Sequence, residues 1–193
     1  MTINGRLHDL YSAWKARLEP SDSFGSQLSP PPLVSVPDDY ETADAGVVFI
    51  GQEDKGNAWS QKILDDPAYR YGGKVWEFDE IDAWSDFLAN EDSVDALMAG
   101  YRMFNFAEHQ PTNYRSPFWR TFRDFAKFGS ACTTNLDRSS WKSGAIDEGP
   151  AELRTYLDSM GAPALLREEI RVLNPTICVF VTGRNRDHLM KRA

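Results

Sequence analysis

Three short apolar runs, each closing on a turn of polar residues, limit this chain more than any other feature. Val47-Val48-Phe49-Ile50 meets Gly51-Gln52-Glu53-Asp54, Cys132-Thr133-Thr134 meets Asn135, and Ile177-Cys178-Val179-Phe180-Val181 meets Thr182-Gly183. Runs so short and so continuously apolar suit strands covered on both faces, as in a parallel sheet. In such sheets ligands bind in the crevice beyond the carboxyl ends of the strands. The expected fold is therefore α/β, a three-layer sandwich with a central parallel sheet flanked by helices, and with its polar turns gathered along one edge.

Helical periodicity fills the intervals. Leu7, Leu10, Tyr11, Trp14 and Leu18 share one face and predict an opening amphipathic helix. Ser21 to Asp39 is rich in Ser and Pro, including Pro30-Pro31-Pro32, and reads as an extended connector running over the surface. Residues 51 to about 90 form a stretch long enough to be a functional loop that hides short helices. Val94, Leu97, Met98, Tyr101 and Phe104 mark a helix over about 92–107. Ser116-Pro117 opens another, with Phe118, Phe122 and Phe125 inward and Gly129 beyond its end. Two helices separated at Gly161-Ala162-Pro163 occupy 151–173, with Leu166, Ile170 and Leu173 inward, and a further helix begins after Gly183. All 193 residues fit a single domain, with the first helix and the Pro-rich connector spanning 1–45.

The net charge of −8 argues against a protein that coats nucleic acid by bulk electrostatics, while a local basic groove stays compatible with it. Two cysteines, Cys132 and Cys178, each inside an apolar run, read as small buried hydrophobes in a reducing compartment. They cannot make a four-cysteine cluster, and no metal site is expected. No run approaches the ~20 apolar residues of a membrane span. Met1 to Leu10 lacks the features of a signal peptide, so the expected location is cytoplasmic.

Glu53 and Asp54, directly after a strand, stand where a carboxylate can orient a water or stabilise positive charge on a sugar ring. The competing reading is an ordinary solvated turn. Asn135 at the next strand end offers one acceptor and two donors, a set suited to reading a pyrimidine edge, or to closing a local turn. His109 reads as a loop histidine. Arg184, Arg186, Lys191 and Arg192 suit either phosphate contact or a solvated helix face.

The order of these features, a Gly-Gln-Glu turn after the first strand, Ser116-Pro117-Phe118-Trp119 at a helix start, Asn135 ending a strand, and Leu173-Asn174-Pro175 feeding a strand that finishes at Gly183, resembles the uracil-DNA glycosylase superfamily, in particular its bacterial members with a Gly-Gln-Glu turn. The resemblance covers about residues 45–190. It implies a DNA repair hydrolase that excises a deaminated or damaged base by cleaving its N-glycosidic bond, without a cofactor, on a DNA or nucleotide partner. By that resemblance Glu53 matches the water-activating acid, with Asp54 a competitor for the role. Gly51 and Gln52 approach the flipped nucleotide, Asn135 reads the base, and Ser116 and Pro117 hold the DNA backbone. Trp59 and Phe118 offer walls for a stacked base, and Gly183 and Arg184 lie at the third strand end.

The sequence departs from that pattern in two places. No Pro and aromatic residue follow Glu53 and Asp54. No His-Pro step follows Gly183, the histidines being His8, His109 and His188. Loss of one donor to the leaving base is worth on the order of 3 kcal/mol by analogy with an oxyanion hole, so weak catalysis is expected. Either the domain is truncated at its C-terminal end, or a partner or extra strand covers an open sheet edge. Two alternatives stand beside the enzyme: a non-catalytic nucleotide- or nucleic-acid-binding member of the same fold, and a small-molecule α/β hydrolase. The hydrolase lacks a Gly-x-Ser-x-Gly elbow.

Overall fold

A computed structural model of the chain describes residues 1–51, 81, 83–105, 117–136, 139, 141 and 149–181; for 101–105, 117 and 119 it describes the backbone. The order of elements is α1 (Ile3–Lys15), β1 (Gly46–Gly51), α2 (Trp84–Ala89), α3 (Ser93–Asn105), α4 (Pro117–Phe125), β2 (Ser130–Asn135), α5 (Ala151–Ser159), α6 (Ala162–Leu173) and β3 (Ile177–Phe180). The chain is mixed α/β, and its three strands form a parallel sheet in the order β2-β1-β3. Among the described residues, no helix is long and apolar enough to cross a membrane.

β1 is central, and its alternation serves two apolar clusters. Val48 and Ile50, with Cys132 of β2, join Tyr11 and Trp14 of α1 and Leu166 and Leu173 of α6. Val47 and Phe49, with Ala131, meet Phe122 of α4. The Phe49 ring makes edge contacts with Phe122 and Phe125, centroids 5.3 and 5.4 Å away, and with Phe118 at 6.3 Å. Such edge-to-face contacts favour α4 lying along the strand with its three phenylalanines inward, as their spacing predicts.

Local chemistry fixes the helix ends. The Thr2 hydroxyl accepts from the Gly5 N–H at 3.1 Å and caps α1. α5 and α6 part at Gly161, with Pro163 in the first turn of α6, and Asn174 ends α6 in the left-handed region at φ 43°. The stretch expected to hide short helices contains α2, whose Trp84 and Phe87 are fully buried.

Three expectations need correction. The connector does not run over the surface: residues 28–36 are buried, and Leu28, Leu33, Val34 and Val36 belong to the main core. An extended segment can be buried when its backbone groups find partners. Asn4 of α1 supplies two, its Oδ1 accepting from the Val36 N–H (2.8 Å) and its Nδ2 donating to the Val36 carbonyl (3.0 Å), while the Tyr11 hydroxyl accepts from the Val34 N–H (3.1 Å). Pro30, Pro31 and Pro32 carry no N–H, so this stretch brings fewer donors into the interior.

β3 is not covered on both faces. Ile177 is 37% exposed, Phe180 is 41% exposed and Cys178 is exposed, whereas β2, on the other side of β1, is buried at every residue. Cys132 alone of the two thiols is buried. Both cysteines pair with Val48 from opposite sides, about two strand spacings apart, too far for a disulfide. Gly129 has a different role from the helix-terminating one. A β-carbon there would sit 2.1 Å from the Ala45 carbonyl oxygen, which accepts the Ser130 N–H that starts β2.

Candidate functional site

The parallel register places the ends of the three strands at one edge. Gly51 is the Cα partner of Asn135, Ile50 is the partner of Phe180, and the Val181 N–H donates to the Ile50 carbonyl at 2.9 Å. At this edge Asn135 lies over Gly51. A β-carbon on Gly51 would be 2.3 Å from Asn135 Oδ1 and 3.4 Å from Phe118 Cε2. The amide therefore occupies the space that a side chain at Gly51 would need, with the Phe118 ring beside it. Asn135 is buried and Phe118 half-buried. The strand end continues to pair beyond them through the Leu136 N–H, which donates to the Gly51 carbonyl at 3.0 Å.

Of the residues singled out from sequence, the structure thus brings Gly51, Phe118 and Asn135 together. Pro117 is the first residue of α4, the helix that carries Phe118. Gln52, Glu53, Asp54, Trp59, Ser116, Gly183 and Arg184 lie outside the described residues, as do His109, Arg186, Lys191, Arg192 and the helix expected after Gly183.

Under this edge lies a group to which sequence reasoning gave no role. Glu169 of α6 is fully buried. Its Oε1 accepts from the Tyr11 hydroxyl at 2.6 Å, and its Oε2 accepts from the Thr134 hydroxyl at 3.2 Å. A carboxylate in the interior is tolerated where hydrogen bonds replace its hydration. Its neighbour Cys132 has its thiol pKa pushed up, chiefly by burial and further by the Glu169 charge. That thiol is a packed hydrophobe and a poor nucleophile at neutral pH.

Two grooves among the described residues lie elsewhere. One of about 510 Å³ is lined by Leu10, Trp14, Arg17, Met160, Leu165 and Glu168. The other, of about 400 Å³, runs between Pro20, Gly25 and Leu88. Neither is bordered by Gly51 or Asn135. Among the described residues no three His, Cys, Asp or Glu side chains are grouped to hold a metal ion.

Compared with known proteins, the chain matches no family model, no curated protein and no solved structure.

Proposed function

We propose that this protein is a uracil-DNA glycosylase-like hydrolase of N-glycosidic bonds, acting weakly on a deaminated or damaged base in DNA. The observation that carries the reading is the pairing of Gly51 with Asn135 at the carboxyl end of a parallel sheet, with the Phe118 ring alongside. A bare glycine lets the strand-end amide pack over the backbone at the carboxyl ends of the strands, the end at which parallel sheets bind ligands. An aromatic ring beside them offers a stacking surface worth roughly 1 to 3 kcal/mol per base. The layered arrangement of the resembled family is part of the proposal, and it is supported by the packing of α4 against Phe49 and of α1 and α6 against Val48 and Ile50.

In this mechanism the base enters the crevice extruded from the stack, and the Asn135 amide hydrogen-bonds its edge. The bond from base to sugar breaks with positive charge growing on the sugar. The carboxylate of Glu53 or Asp54, two or three residues beyond the Gly51 strand end, stabilises that charge and directs a water to the sugar carbon. The water's hydroxyl forms the new bond to that carbon, its proton passes to the carboxylate, and the base leaves with the bonding electron pair. The protein acts in this scheme without a cofactor.

Uracil-containing single- and double-stranded DNA, incubated with the protein and then treated with alkali, tests the chemistry. Strand breakage that disappears when Glu53→Gln is combined with Asp54→Asn is the expected result. Tight binding without breakage would replace the enzyme by a non-catalytic nucleic-acid-binding protein.

A further inference from the structure

We infer that Glu169 is a positioning residue for Asn135, acting through Thr134. The inference rests on the reading of the Asn135 amide as a ligand-reading group. β2 stands at one side of the sheet, paired along its length with β1. A backbone ladder on one side leaves a strand freedom to roll about its own axis, and that roll decides where the terminal side chain points. Thr134 and Asn135 are consecutive, so their side chains leave the strand on opposite faces. A hold on the Thr134 hydroxyl from beneath the sheet fixes the roll, and with it the amide above.

The hold is a chain of buried hydrogen bonds that crosses four segments. The Val34 N–H of the connector donates to the Tyr11 oxygen (3.1 Å), the Tyr11 hydroxyl of α1 donates to Glu169 Oε1 (2.6 Å), and the Thr134 hydroxyl of β2 donates to Glu169 Oε2 (3.2 Å). Apolar packing alone would satisfy stability at this place, since buried ionic groups can often be replaced by hydrophobic ones without loss. What a carboxylate adds is a defined position for each of the hydroxyls it receives. The N-terminal helix and the buried connector become part of the site's support through the same chain.

Thr134→Val and Thr134→Ser in the full chain, isotope-labelled for amide hydrogen exchange, test this well below each variant's melting temperature. In Thr134→Val the Leu136 N–H, which closes the strand end onto Gly51, is expected to exchange about fivefold faster than in the wild type, the factor a single net hydrogen bond is worth. The amides of Val48 and Phe49 at the centre of the sheet should keep their rates, and the Asn135 side-chain amide resonances should move. Thr134→Ser keeps the hydroxyl and should restore both. Exchange that rises uniformly through the sheet, or an unchanged Leu136, would overturn the inference and make Glu169 a core residue only. Uracil release by the same proteins separates this from the proposed function. An inert wild type with selective exchange at Leu136 sinks the glycosylase reading and leaves the positioning intact. An active wild type matched by an equally active Thr134→Val sinks the positioning role.

Discussion

A methyl group added at Gly51 would meet Asn135 Oδ1 at 2.3 Å, and one added at Gly129 would meet the Ala45 carbonyl oxygen at 2.1 Å. Both clashes require the structure to shift, so Gly51→Ala and Gly129→Ala are each expected to lose about 1 to 3 kcal/mol in urea denaturation. They differ in what is displaced. Gly51→Ala pushes on the amide proposed to read a base and should abolish DNA binding or cleavage, whereas Gly129→Ala acts at the opposite end of β2 and should leave them near wild type in the folded protein. Tyr40 presents the converse case. Its ring is buried against Gly46 and its hydroxyl has no hydrogen-bond partner among the described residues. Tyr40→Phe is therefore expected to raise stability by about 1 kcal/mol in the same denaturation experiment.

At the scale of elements, the connector is the least expected part of the molecule. Leu33 is fully buried in the main core, so Leu33→Ala should cost about 2 to 5 kcal/mol, as for any core leucine, with chemical denaturation as the measure. A surface connector would lose almost nothing. Proline and serine content suggested a surface path because such segments rarely find backbone partners. Asn4 and Tyr11 provide them here, from a helix whose sequence shows only that Tyr11 faces inward. The helices themselves were legible, since Leu7, Tyr11 and Trp14, or Phe118 and Phe122, repeat at helical spacing and point inward. So were the strands, and the meeting of Gly51 with Asn135 follows once parallel pairing aligns their polar ends. An apolar run does not reveal what covers a strand, which is why the exposure of Cys178 and Phe180 escaped notice. Glu169 did leave a trace: it falls three residues after Leu166 and four before Leu173, on the apolar face of α6. A charged side chain ordinarily faces solvent, and the hydroxyls that donate to this one come from segments 35 and 158 residues distant.

For the whole molecule, burial sets the response to alkali. The thiol of Cys132 and the phenol of Tyr40 are both pushed above their ordinary values of 9.0 and 10.0, chiefly by desolvation. The unfolded chain ionises at the ordinary values while the folded chain keeps its protons. The contribution of these two groups is thus level below about pH 9 and falls above it, by up to about 1.4 kcal/mol per pH unit for each. Melting temperatures followed from neutral to alkaline pH should show this decline, and Tyr40→Phe should soften it above about pH 10; a profile flat to high pH would contradict it. The central claim concerns the sheet edge, where Gly51, Phe118 and Asn135 meet and after which Glu53 and Asp54 follow in the sequence. Its most direct test is the free uracil liberated from uracil-containing DNA by wild type and by Asn135→Ala, compared at equal folded concentration. The account predicts measurable release by the wild type and a fall of about 100-fold or more in the variant, the scale for loss of a preorganised polar group at a reacting site. Equal release by the two proteins, or neither release nor binding by the wild type, would contradict it.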